Sequence, residues 1–88
     1  MYSQKVTVTN SIGLGVRPAN IFVKIAAEFS ATIHVKYNGS LANGKSYLGL
    51  LSRSIPSGGE IEIIADGKDE IKAVENLVHL VESNFTDY

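Results

Sequence analysis

The period of the hydrophobic pattern changes several times along this chain, and each change limits the fold. Val6 and Val8, with Tyr2 and Gln4 more weakly, fall on one side of an extended segment, and Lys5, Thr7 and Thr9 fall on the other. That is the alternation of a half-buried strand, and it stops at Asn10-Ser11. Ala19, Phe22, Val23 and Ala26 then recur at i, i+3, i+4 and i+7. This spacing makes one stripe on a helix expected from about Val16 to Glu28, with Pro18 in a first turn that tolerates a missing N–H. Alternation returns with Ile33, Val35 and Tyr37 against Thr32, His34 and Lys36. Asn38-Gly39 is the pair favoured by two-residue type I′ hairpins, so residues 40–43 are expected to run back as an antiparallel strand.

In the second half, Ser46 is a good N-cap for a brief helix through Tyr47-Leu48-Gly49-Leu50-Leu51-Ser52, which Gly49 weakens. Pro56 and Gly58-Gly59 end that connection, and residues 60–65 read as a strand with Ile61, Ile63 and Ala65 on one face. Asp66-Gly67 turns the chain toward an Asp69 N-cap. Ile71, Val74, Leu77, Val78 and Val81 mark the buried stripe of the last helix, leaving Lys72, Glu75, His79 and Glu82 toward water. Residues 84–88 are expected to fray. The order β-α-β-β-α-β-α implies an α+β open-faced sandwich, one antiparallel sheet with all helices on a single side.

The 88 residues are enough for one domain, expected to span 1–88, and with no cysteine its core rests on packing alone. There is neither an apolar leader nor a span-length hydrophobic run, so the chain is expected to be soluble, unprocessed and cytoplasmic. Charge is divided along it. Residues 1–53 hold six bases against one acid, Glu28, and residues 54–88 hold two bases against eight acids. A basic face would attract acidic protein surfaces or phosphate. The bases stand singly, without interleaved aromatics, which argues against nucleic acid.

The loop Gly13-Leu14-Gly15-Val16-Arg17-Pro18-Ala19 offers backbone N–H groups at a helix start, close approach at two glycines and a cationic fork at Arg17. These features make either an anion site or a loop whose amides meet water while Arg17 packs locally. The segment resembles the active-site pattern of the HPr phosphocarriers: glycine, an aliphatic, the phosphoryl-accepting histidine, a small residue, then Arg-Pro-Ala. Gly13, Leu14, Val16, Arg17, Pro18 and Ala19 match. Lys45-Ser46-Tyr47-Leu48-Gly49-Leu50-Leu51-Ser52 is similar to the regulatory-serine helix of HPr proteins from low-GC Gram-positive bacteria, so the resemblance covers essentially the whole chain.

Gly15 stands where the phosphohistidine would be, and backbone and charge cannot replace a missing nucleophile. His34 and His79 lie on expected polar faces outside this pattern, and their separation makes no metal motif. The expectation is therefore no catalytic residue, no metal and no cofactor, in the manner of the family's catabolite-repression paralogues. Asp66, Asp69 and Glu70 suit a turn and a helix start better than an active site.

Ser46 has two readings. It is a structural cap, or it is the target of an HPr kinase/phosphorylase, with the helix dipole, Lys45 and Arg17 favouring the added charge. The resemblance implies that Tyr47, Leu48 and Leu51 form an apolar docking patch, with Arg17, Lys24 and Lys45 as its charged surround. It also implies a LacI-type catabolite control regulator as partner, with phosphotransferase components as alternatives. No direct contact with nucleic acid or membrane is expected. Tyr47, Leu48, Leu51 and Arg53-Ser54 depart from the family's usual residues.

Overall fold

The computed structural model describes residues 1–86. Along the chain run β1 (Tyr2–Thr7), α1 (Val16–Ala26), β2 (Thr32–Tyr37), β3 (Ser40–Asn43), α2 (Tyr47–Leu51), β4 (Glu60–Asp66) and α3 (Glu70–Glu82). The strands form one antiparallel sheet in the order β1-β4-β2-β3. Asn38 (φ 53°) and Gly39 (φ 80°) both take the left-handed conformation, as a type I′ turn requires, and set Tyr37 opposite Ser40.

Pairing aligns the inward residues. Val6 faces Ile61, Ile63 faces Val35, and Ala65 faces Ile33. All six are buried, together with Phe22 of α1, Leu50 of α2 and Leu77 of α3. The other sheet face is open, with Lys5 and Lys36 flanking Glu62 across neighbouring strands and His34 set between Ile64 and Asn43. The free margin of β3 is closed by the loop that follows it: Arg53 Nη2 donates to the Leu41 carbonyl at 2.6 Å and the Ser46 amide to the Asn43 carbonyl at 3.0 Å.

Four local expectations are corrected. The first helix ends at Ala26, and the chain tightens through Glu28 N–H to Ile25 and Phe29 N–H to Ala26, the short-range bonds of a closing turn. Its buried side includes Pro18 and Ile21, while Val23 is half-buried.

Ile71 is 54% exposed. It lies on the flank of the α3 stripe in the first turn, and Ala73 and Leu80 occupy the covered face instead.

Asp69 does not cap its own helix with its side chain. Its two carboxylate oxygens accept the Ser30 and Ala31 amides, each at 2.9 Å, across the α1–β2 connection.

Residues 84–86 do not fray. Asn84 and Phe85 take positive φ, Phe85 N–H reaches the Leu80 carbonyl and Asn84 N–H the Val81 carbonyl, each at 3.0 Å. Phe85 is buried with Leu80, which completes a Schellman motif with asparagine in the left-handed position. Asp87 and Tyr88 lie outside the described residues.

Candidate functional site

Gly13 is fixed by its surroundings. Its φ is +68°, and a Cβ there would come within 2.5 Å of the Ile55 carbonyl oxygen, so no other residue fits without moving backbone. The Leu14 amide donates to that same carbonyl at 2.9 Å, and Asn10 Nδ2 donates to Gly13 O at 2.8 Å. The loop therefore presents the start of α1 from a rigid seat.

Gly15 is different. It is the N-cap of α1, with φ −81° and ψ −159°, and makes no side-chain cap. A Cβ here would meet only the Ile12 carbonyl oxygen, at 3.8 Å. Neither conformation nor space demands a glycine at this position. Its own carbonyl takes the Ala19 amide at 2.9 Å, and the Val16 and Arg17 amides have no intrahelical acceptor because they belong to the first turn. Arg17 is exposed and, among the described residues, makes no hydrogen bond or ion pair. Its side chain borders a shallow cleft of about 420 Å³ shared with Asn10, Ile21 and Asn84. Lys24, about two turns further along α1, is likewise exposed.

Ser46 caps α2. Its Oγ accepts the Gly49 amide at 3.0 Å, and its carbonyl takes the Leu50 amide at 3.1 Å, as an N-cap serine should. A Cβ at position 49 would sit 3.1 Å from Ser46 Oγ and 3.2 Å from Ser46 Cβ. The glycine that weakens this helix by propensity therefore gives the cap its room. Leu48 is 73% exposed. Leu51 and Tyr47 are half-buried, and Tyr47 packs against the core, so the exposed part of the expected patch is carried chiefly by Leu48. Lys45 is also committed: its ammonium donates to the Phe29 carbonyl at 2.6 Å, tying α2 to the end of α1 rather than standing free beside Ser46.

Two apolar residues escaped the sequence reading. Ile12 is 66% and Val16 64% exposed, one three residues before Gly15 in the loop and the other directly after it at the start of α1. Val16 stands three residues before Ala19 and seven before Val23, spacings that share a helix face, so the periodicity carried no signal of its exposure. His34 and His79 are exposed on the sheet face and on α3. Among the described residues, no group of three His, Asp or Glu side chains comes together to hold a metal ion, and no helix is long and apolar enough to cross a membrane.

A family model described as the PTS HPr component phosphorylation site matches residues 2–83. The chain is 39% identical over 82 residues to the HPr-like protein Crh of Bacillus subtilis, covering 93% of this chain and 96% of that one. A solution structure of that relative, described as the Catabolite Repression HPr, superposes with a TM-score of 0.69 at 39% identity, covering 91% of this chain and 95% of the other. The phosphocarrier protein HPr of Haemophilus influenzae is 44% identical over 81 residues, 92% of this chain and 95% of that one. The crystal structure of HPr-C-His from Thermoanaerobacter tengcongensis matches with a TM-score of 0.94 at 36% identity, covering 97% of this chain and 96% of the other.

Proposed function

This chain belongs to the HPr family, and from that premise we propose that it is a regulatory member and not a phosphate relay. In this reading an HPr kinase/phosphorylase modifies Ser46, and the phosphoprotein docks as corepressor on a LacI-type catabolite control regulator. It acts in the cytoplasm by binding, without catalysis, metal or cofactor. The observation that carries the reading is Gly15: α1 keeps its unpaired first-turn amides and an uncommitted Arg17, yet the position facing them has no atom that can attack phosphorus.

Support for Ser46 comes from its place at the start of α2 beside the exposed Leu48. A phosphate there adds about −1.5 to −2 charges at a helix start, where the dipole favours them. The likeness to the relative named Catabolite Repression HPr points the same way. Recognition then combines an apolar anchor, Leu48 with the outer part of Leu51, and charge complementarity through Arg17, Lys24 and the phosphate.

A second reading has its own observation. Ser46 Oγ is already engaged by Gly49, and Lys45, the nearest base in sequence, is held by Phe29. This favours an unmodified module that docks on phosphotransferase components or a metabolic enzyme.

Binding of the Ser46-phosphorylated and unmodified protein to a LacI-type regulator, measured at two salt concentrations, separates the two readings. Tighter and salt-sensitive binding of the phosphoprotein supports corepression, because exposed charge pairs are screened within about 8–10 Å at such ionic strengths. Equal binding by both forms, or no modification by the kinase, leaves the unmodified module.

A further inference from the structure

We infer that the outer edge of β1 is a strand-docking site: an extended segment of another protein adds antiparallel to Ser3, Lys5 and Thr7, with an acidic residue opposite Lys5 and a basic residue opposite Thr7. The site lies at the far margin of the sheet from β3 and Ser46, so it goes beyond the regulatory reading and does not depend on it.

The backbone sets the surface. Val8 donates its amide to the Gly59 carbonyl at 2.9 Å and accepts the Gly58 amide at 2.6 Å. In an antiparallel ladder the direction of these groups alternates from residue to residue. Val6, Gln4 and Tyr2 therefore turn their amides and carbonyls toward β4, and Ser3, Lys5 and Thr7 turn theirs outward. β1 pairs with β4 alone, and among the described residues nothing bonds to the backbone of those three on the outer side. The other margin is the opposite case, because Arg53 and the Ser46 amide occupy the outward carbonyls of Leu41 and Asn43. One edge is sealed, and the other is a ready template for pairing.

A second copy of the chain does not supply the missing strand. The register that uses all three residues sets Lys5 opposite Lys5, and like charges directly opposed destabilise a strand pair. The β3 margin of a second copy has its outward carbonyls taken. Charge beside the edge selects the occupant instead. A cleft of about 450 Å³ runs there, lined by Lys5 and Thr7 together with Glu60 and Glu82. These three charged residues are exposed, and none has an ion pair among the described residues. Glu62, the neighbour of Lys5 on β4, accepts the Ser3 hydroxyl at 3.0 Å, and Glu60 stands beside Thr7. An incoming strand thus meets a cation at Lys5 and two carboxylates around Thr7. Running antiparallel, it presents a basic residue two positions before an acidic one, so that each faces its opposite.

The probe is a blocked peptide, Thr-Thr-Arg-Thr-Glu-Thr-Thr, compared with its charge-swapped isomer, Thr-Thr-Glu-Thr-Arg-Thr-Thr. Amide hydrogen exchange along β1 is followed by NMR up to millimolar peptide. In the free protein Ser3, Lys5 and Thr7 are expected to exchange faster than Gln4 and Val6. The first peptide slows all three, about tenfold when nine-tenths of the protein is bound, and the swapped isomer does not. N-methylation of the peptide's Glu, whose N–H faces Lys5, abolishes the effect, whereas N-methylation of the central Thr, whose N–H points away, preserves it. Thr7→Pro removes one outward N–H without touching the β4 ladder, and it abolishes the effect as well. The methylated peptides keep the test independent of whether that variant folds. No protection by the first peptide, or equal protection by both isomers, overturns the inference. A wild-type dimer in sedimentation with its Lys5 amide already protected overturns it too, by giving the edge to a second copy.

Discussion

Ser46 Oγ accepts the Gly49 amide at 3.0 Å, and the Cβ of any other residue at position 49 would lie 3.1 Å from that same oxygen. The cap and the glycine are therefore one unit. Ser46→Ala is expected to cost about 0.5–2 kcal/mol while leaving the fold intact. Gly49→Ala, which on an open helix surface would gain up to about 1 kcal/mol, is expected to destabilise here because it pushes the serine off its bond. Urea denaturation of the two single variants decides it, and a stabilised Gly49→Ala would show that the cap relaxes freely.

Position 15 should be chemically silent and structurally permissive. Enzyme I with phosphoenolpyruvate is expected to leave the wild-type protein unmodified, as read by intact-protein mass spectrometry. Gly15→His should melt like the wild type, within about 0.5 kcal/mol, because the new Cβ meets only a carbonyl at 3.8 Å. It should also gain an acid-labile phosphate, since Arg17 and the open first turn of α1 are already in place. Phosphate on the wild type would redirect attention to His34 or His79.

How much was legible beforehand depended on how local each cause is. Asn38-Gly39 announced its turn because few residue pairs accept two positive φ values in succession. Ser46 announced its helix because the capping partner is three residues away. Strand order was not readable: β4 lies between β1 and β2, and only the hairpin partner of β2 had a sequence signature. Asp69 and Lys45 were misplaced for the same reason, their partners being 38 to 39 and 16 residues distant. Ile71 had the right spacing, but periodicity cannot tell the flank of a stripe from its centre. The end of α3 was readable in principle, since asparagine just past a helix and an apolar residue after it are the signature of a left-handed closure.

Acid should weaken the fold through Asp69. The amides of Ser30 and then Ala31 hold its carboxyl below the usual carboxylate range. With the folded pKa lower than the unfolded one, this stabilisation is complete above about pH 4 and disappears as pH falls through the folded value. Asp69→Asn is expected to flatten the dependence of the urea midpoint on pH between about 5 and 3. An unchanged slope would assign acid sensitivity elsewhere, with Glu70 the first candidate.

The amino terminus should behave in the opposite sense. The Met1 ammonium lies 3.0 Å from Glu70 and 3.4 Å from Asp66, and the Glu70 carboxylate, then Asp66, raises its pKa. Its contribution is therefore present below about pH 8 and is lost as pH rises through the folded value. Hydrogen exchange at the start of β1 should quicken above that range in the free-amine protein and show no such step in an N-terminally acetylated one.

The closed margin of β3 limits how anything can approach the serine. With the Leu41 carbonyl taken by Arg53 and the Asn43 carbonyl by the Ser46 amide, an incoming strand finds these acceptors already occupied on that side of the sheet. With those two acceptors taken, recognition at Ser46 is left to rest more on side chains and their charge, which a single substitution or a single phosphate can alter. Backbone zippering would be nearly blind to both.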